Sequence, residues 1–498
     1  MRPFPVLALG VVITIAAAGC GPRAGSLEAA TAALGADEIR SIEYSGTGRW
    51  FQFGQAPNPT LPWPAFEVSR FTAAVDYRQP AARVEMTRLQ VVEPGRVRPA
   101  PAEQRPIQVV SGTFAWNLAP PPGGAAGAPL VPTAQPAAVE ERTMEIWTTP
   151  QGFLKAAAAN NATSTPAGEG SEVAFTIDGK YKYVGRINAQ NEVERVQTFI
   201  DNTVLGDTPV VMAYSEYRDF GGVRFPSRIV RTQGGHPLLD LTIEKVAVNP
   251  SVAGEVPEQV RSFTPPAVNV VMEPLAPGVH YVRGGSHHSV AIEQRDHVIV
   301  VEAPQDEARS EAVIAKVKET IPGKPIRYIV NTHVHFDHSG GLRTYAAEGA
   351  TVVTHEMNRP YYEKSWAEPR TIRQDRLARA PRTVTFETFT DKHVLGDGQR
   401  QIEVHRIAGS GHNDAYAMVY LPAERILIQV DAYAPLAPNT PPPTAVSPFT
   451  VNLLENIDRL KLPVRTIASL HGPGVATIDD LRAAALPAKA VSKDRAQR

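Results

Sequence analysis

Three imidazoles and one carboxylate crowd into six consecutive residues, His333-Val334-His335-Phe336-Asp337-His338, just after the apolar run Tyr328-Ile329-Val330. Alternate residues of an extended segment point the same way, so His333 and His335 can grip one ion together. Asp337 and His338 lie past the strand end, where a turning chain can aim them at a second position. Imidazole and carboxylate are the ligands that suit zinc and its first-row neighbours. Gly340-Gly341 then allows a tight turn into an expected helix.

Further residues of ligand type end other apolar runs. His412 sits in the glycine-flanked loop Gly409-Ser410-Gly411-His412, after a predicted strand at 401–407. Asp431 terminates Ile426-Leu427-Ile428-Gln429-Val430. His471 follows Ile467-Ala468-Ser469-Leu470 and precedes Gly472-Pro473-Gly474. Ligands of one site should gather at a common sheet edge, and each of these side chains closes a predicted strand.

The elements that must carry them occupy the second half of the chain. At 498 residues the protein is too long for one ordinary domain. From 279 onward short apolar strands are predicted at 279–283, 289–293 and 298–302. Asp306 can cap a helix whose apolar side chains include Val313, Ile314, Val317 and Ile321; Gly323 and Pro325 stop it. Strands at 351–354, 383–389, 401–407, 417–421, 426–429 and 464–469 alternate with helices at 451–460 and 477–485. Such interspersion argues for an α/β layered domain.

These residues together resemble the metallo-β-lactamase superfamily, over about two-fifths of the chain. The resemblance implies an αββα sandwich with a two-metal site at one sheet edge. It implies that His333, His335 and His412 ligate a first metal and Asp337, His338 and His471 a second, with Asp431 bridging both. Two zinc ions are the expected cofactor, other divalent metals being alternatives. Two divalent ions about 3.5–4 Å apart can hold a water between them and lower its pKa towards neutrality, yielding a hydroxide nucleophile. Asp337 is expected to orient that hydroxide and pass its proton on, so the reaction class is hydrolysis and Asp337 the catalytic residue. Branches of true β-lactamases carry cysteine or serine where this chain has Asp431. The aspartate resembles the glyoxalase-II-like and lactonase-like hydrolases instead, so an ester, thioester, lactone or amide-type bond is expected, with a β-lactam as the alternative. The full second ligand set argues against the single-iron oxygenase branch.

His287 and His288 lie in the loop Gly284-Gly285-Ser286-His287-His288-Ser289 and are candidates for touching substrate or for orienting a metal ligand. His355 is assigned a structural or orienting role, and His280, His297, His393 and His405 surface or packing roles. Tyr361, Tyr362 and Trp366 are expected either at the pocket mouth or in the core. The segment 434–448, with Pro441-Pro442-Pro443, is a candidate wall or lid.

The first half has a different character. Alternating runs at 41–50, 67–77, 82–91, 181–187, 193–200, 210–217, 223–230 and 238–246 predict a meander of antiparallel hairpins. Its only histidine is His236, and no acids cluster. The tract from Pro120 to Ala138 is expected to be a flexible excursion, and 160–170 a polar loop. The stretch 219–229 resembles the sheet domains of periplasmic lipoprotein-carrier proteins, which implies a curved sheet with an apolar concave face. The layout expected is therefore a β domain at 21–265, a linker at 266–278 and the hydrolase domain at 279–490.

Fifty Lys and Arg balance 51 Asp and Glu, so no broad basic surface is implied and a nucleic-acid partner is not expected. The start, Met1-Arg2 and an apolar run from Val6 to Ala18, reads as a secretory signal. Ending in Ala17-Ala18-Gly19-Cys20, it resembles a bacterial lipoprotein signal. That resemblance implies lipidation at Cys20 and a periplasmic-side membrane anchor, on the outer membrane since Gly21 follows, with a soluble secreted protein as the alternative. Cys20 is the chain's one cysteine, which rules out internal disulfides and thiolate metal sites. A small-molecule substrate is expected. A carrier lipoprotein whose metal domain is subsidiary is the alternative from another class.

Overall fold

Alternation in the first half does build strands, and they pair in order of sequence. The computed structural model describes residues 23–121, 127–252, 254–437, 440 and 445–486. The signal segment with Cys20 and the Pro441–Pro443 run lie outside the described residues.

Thirteen strands form one antiparallel sheet. One half runs outward from Ser41–Phe51 to the edge strand Val131–Ala134; the other runs from His236–Val248 to the edge strand Thr163–Ala167. The two halves are zipped where Ser41–Phe51 pairs with His236–Val248, with Gly48 opposite Leu241. Helices Leu27–Ala33, Val139–Thr148 and Pro150–Ala159 cover one face. Phe153, Leu154 and Ile146 of those helices bury against Ile42, Val173, Val196 and Phe225 of the sheet. Each such side chain contributes on the order of 1.5–3 kcal/mol by leaving water. Arg231, buried on that face, is neutralised by Glu141 and Glu145 of helix Val139–Thr148.

Three expectations for this half need correction. The tract from Pro120 to Ala138, read as a flexible excursion, ends in the edge strand Val131–Ala134 and a 3-10 turn at Pro136–Ala138, and two consecutive helices follow, the second started by Thr149 capping and Pro150 at its first turn. The polar loop at 160–170 contains a strand, Thr163–Ala167, hairpinned to Gly170–Ile177. The apolar face is filled by the chain's own helices, leaving between them and the sheet a void of about 90 Å³.

The second half is a layered α/β domain. A seven-stranded sheet (Val271–Ala276 through Phe386–Phe389) faces a six-stranded one (Lys392–Gly396 through Val475–Thr477). Between them lies a core of Tyr281, Ile299, Val330, Val419, Leu427 and Ile467. Helices Glu307–Thr320, Leu342–Glu348 and Arg359–Ala367 pack on the outer face of the first sheet, and Pro448–Arg459 and Ile478–Ala484 accompany the second. Asp306 and Thr477 cap the two helices they precede, Thr477 within a full capping box. The span read as linker, 266–278, is corrected too: Val271–Ala276 is the edge strand of the first sheet, paired with Val279–Arg283.

The two domains meet twice. Arg370 donates to the carbonyls of Asn202, Thr203 and Val204, while Asp207 accepts from the backbone N–H groups of Thr371 and Ile372. At the other contact the segment after Ser41–Phe51 lies over residues 333–338 and 411–414, and is described with the site. Between the contacts is a cavity of about 670 Å³ whose walls include Pro59, Leu205, His236, Pro360, Tyr361 and Lys364.

Candidate metal centre

Strand Ile326–Val330 lies inside the parallel part of the first sheet, between Val298–Val301 and Thr351–His355. Its C-terminal end delivers the histidine cluster, and the turn there is fixed by a buried polar network. Asn331, fully buried, donates to the His333 carbonyl at 2.7 Å and accepts from Tyr362 Oη at 2.7 Å and Thr354 Oγ1 at 3.2 Å. Tyr362 is thus core, not pocket mouth. Asn331→Ala would strand the Tyr362 hydroxyl and the His333 turn in a dry interior. A loss of about 2–3 kcal/mol is expected, read from the urea unfolding midpoint.

His335 precedes the short helix Phe336–Ser339, which turns Asp337 and His338 away from the strand. The remaining candidates arrive from the second sheet. His412 follows Gln401–Arg406, with the Ser410 hydroxyl accepting from its backbone N–H. Asp431 follows Ile426–Gln429, its N–H donating to Tyr416 Oη at 2.6 Å. His471 follows Thr466–Ser469 and is bridged, backbone to backbone, to His287. His288 holds that junction, donating its N–H to the Leu470 carbonyl at 2.7 Å, with its Nε2 2.9 Å from the Gly472 carbonyl oxygen.

All seven residues singled out as ligands therefore converge on one edge. Together with His287 they fall into two groups of four, the ligand atoms within each lying within 4.8 Å of one another: His333, His335, His412 and Asp431; and His287, Asp337, His338 and His471. Asp431 touches both. Its Oδ2 is 3.0 Å from His412 Nε2, 3.0 Å from His338 Nε2 and 3.4 Å from His333 Nε2, and its Oδ1 is 2.7 Å from His471 Nδ1. His287 joins the second group, stacked on His471 with ring centroids 4.0 Å apart, as a potential ligand rather than only a substrate contact. His288 keeps an orienting part. His355 accepts from the Met357 N–H at the end of its strand and stays outside both groups.

The donor set fits a divalent cation. His333 Nε2 and His412 Nε2 face each other at 3.2 Å, an arrangement in which one nitrogen must stay a bare lone pair. His335 Nδ1, His338 Nε2 and His287 Nε2 are buried with no hydrogen-bond partner. Buried polar atoms are nearly always partnered, so three converging nitrogens with no well-directed hydrogen bond, two of them facing carboxylate oxygens at 3.0 and 3.4 Å, fit a cation's coordination shell. The electrostatics differ between the rings. Burial pushes His333 down to about 3, keeping its imidazole neutral and able to ligate. Burial also opposes a proton on His338, but Asp431 and Glu302 outweigh it and hold that ring well above the usual range, so it carries a proton that a cation bound there would displace. Burial opposes charge on Asp431, yet His338, His333 and His412 keep it well below the usual carboxylate range.

Two supporting side chains escaped the sequence reading. Glu302 is wholly buried at the end of strand Val298–Val301, with a positive φ of 69°. Its Oε1 accepts from the Thr332 N–H at 2.6 Å, and its Oε2 lies 3.2 Å from His338 Nδ1. Such partners set the tautomer and angle of a ligating imidazole. Gln429 donates to Ser469 Oγ and accepts from the N–H groups of Ala432 and Tyr433, tying together the turns that bear Asp431 and His471. A lone acid or amide ending an apolar run gives no signal in the sequence beyond its being out of place.

Layers, sheet edge and ligand groups define a metallo-β-lactamase superfamily domain, and the model of that family matches residues 282–480. Among solved structures, the chain is similar to a metallo-β-lactamase from Pontibacter korlensis, at 18% identity over 44% of this chain and 97% of that one, with a TM-score of 0.34. It is similar also to the metallo-β-lactamase FIM-1 from Pseudomonas aeruginosa in its mono-zinc form, at 19% identity, 44% and 95% coverage and a TM-score of 0.35. A metallo-β-lactamase from Hirschia baltica matches at 17% identity, 44% and 96% coverage and a TM-score of 0.33. Comparison with curated proteins gave no match.

Proposed function

We propose that the protein is a two-zinc hydrolase that cleaves an ester, thioester, lactone or amide-type bond of a small molecule. The observation that carries this is the pair of four-residue ligand groups sharing Asp431 at one sheet edge. His333, His335 and His412 would hold one ion, His287, Asp337, His338 and His471 the other, with Asp431 between them. When bound, two such ions acidify water and polarise the acyl oxygen.

The chain's own residues supply the rest. Asp337 is the proton-handling group: Oδ2 is directed at His287 and His338, while Oδ1 is turned away from them to a partner of its own. The His471 and Asp337 side chains remain 42% and 36% exposed, whereas His333 is sealed. Substrate therefore enters on the His471–Asp337 side. Asp431, in place of the cysteine or serine of true β-lactamases, supports an acyl substrate other than a β-lactam. The start of the chain supports export and a lipid anchor at Cys20 on the periplasmic side. Among the described residues no helix is long and apolar enough to cross a membrane.

Elemental analysis of protein purified without added metal, run with a panel of ester, thioester, lactone and β-lactam substrates, tests the proposal. About two zinc per chain is expected. Dialysis against a chelator should abolish turnover and lower the melting temperature, because metal at a thousandfold its Kd stabilises by roughly 4 kcal/mol. Re-addition of zinc should restore both. Metal-free protein with undiminished turnover would refute the assignment.

A further inference from the structure

The segment linking Ser41–Phe51 to Ala65–Asp76 reaches out of the β domain and lies against the metal centre. Gly54 O accepts from the Phe336 N–H at 3.2 Å, and Pro57 O accepts from the Asp414 N–H at 2.8 Å. Asn58 donates to Asp414 at 2.6 Å, and Arg96 holds the same carboxylate with two bonds of 2.9 and 3.1 Å. The loop is pinned on both sides of Gln55 and Ala56.

What those two residues touch is specific. Ala56 O, steadied by Asn413 Nδ2 at 3.2 Å, lies 3.1 Å from His335 Nε2. That contact occupies Nε2 and leaves Nδ1, buried and unpartnered, as the nitrogen free to ligate. Gln55 Nε2 donates to Asp337 Oδ1 at 2.8 Å, across 282 residues of sequence. The other oxygen, Oδ2, is the one facing His287 Nε2 at 3.4 Å and His338 Nε2 at 3.6 Å. The two oxygens are thereby given different tasks by groups from different domains.

We infer that Gln55 is a positioning residue of the metal centre, supplied by the β domain, and that the affinity of the second metal position depends on it. The inference rests on the two-metal reading above. With Oδ1 engaged by an amide, the Asp337 carboxylate cannot rotate, and Oδ2 is presented to the position shared with His287, His338 and His471. Outer partners of this kind commonly change metal affinity by about 10–100-fold when removed.

The test uses the full chain with zinc and cobalt(II) alone as probes, so no substrate is needed. Gln55→Met keeps side-chain length and loop packing while deleting the donor; Gln55→Ala deletes both. Zinc titration should show the second equivalent bound about 10–100-fold more weakly in both variants, with the first within about threefold of wild type. The cobalt(II) visible spectrum should change only on adding the second equivalent. Wild-type affinity and an unchanged cobalt spectrum in Gln55→Met would overturn the positioning role while leaving the two-metal proposal intact. Equal weakening of both equivalents, with a matching loss of thermal stability, would reduce Gln55 to domain scaffolding and overturn it as well. A wild-type chain binding fewer than two equivalents would refute the two-metal proposal, and the role of Gln55 with it.

Discussion

Asp337→Asn is expected to keep the fold and lose turnover by about 10²–10⁴-fold, the range that a positioned proton-transfer group supplies. The substitution is nearly isosteric, and Gln55 can still donate to the amide oxygen at the Oδ1 position. The Oδ2 position becomes an NH₂ group, which accepts no proton and cannot ligate. It would face His287 Nε2 and His338 Nε2, the side from which a cation is held. Zinc content should therefore fall towards one per chain, while far-ultraviolet circular dichroism stays that of wild type. The decisive comparison is kcat on whichever panel substrate the wild type cleaves. If the Asp337→Asn variant were as fast as wild type, Asp337 would be removed from the chemistry.

The second large effect belongs to Glu302. A wholly buried carboxylate survives only when its partners are in place, and here they are the Thr332 N–H and His338. Glu302→Ala deletes both contacts at once and leaves two buried polar groups bare. Breaking such an arrangement costs about 3–5 kcal/mol, or roughly 6–20 °C in the melting temperature of a domain this size. Glu302→Gln retains an acceptor for Thr332 and should fall between. Both variants should bind zinc less tightly, since the His338 ring is no longer held. A melting temperature within about 2 °C of wild type for Glu302→Ala would show that the turn carrying the ligands is fixed by something else.

The ligands were legible in the sequence because each sits at a strand end among apolar neighbours, where an imidazole or carboxylate is conspicuous. Glu302 and Gln429 occupy the same kind of position, but a single acid or amide does not distinguish itself from a solvated turn. His287 was visible, but its pairing with His471 depends on a bridge between distant parts of the chain, which local pattern cannot show. Gln55 had no local signal at all. The span 266–278 was read as a linker although Pro274 lies in Val271–Ala276, an edge strand, where proline's missing N–H is tolerated. Pro132 and Pro166 sit in edge strands of the large sheet for the same reason. The helices Val139–Thr148 and Pro150–Ala159 were hidden by the Ala- and Pro-rich composition before them. They form because they bury Ile146, Phe153 and Leu154 on the sheet, and not because of local propensity alone.

Two glycines set how closely the domains approach each other. A Cβ on Gly411, in the hydrolase domain, would lie 1.7 Å from the Val97 carbonyl oxygen of the β domain. A Cβ on Gly54, in the β domain, would lie 2.6 Å from the Phe336 ring, and its φ of +75° already favours glycine. Each position is constrained by a surface encoded in the other domain. The docked arrangement therefore has no room for a side chain at either glycine: a methyl group at one of them must part the two surfaces, and with them the Gln55–Asp337 contact made one residue beyond Gly54.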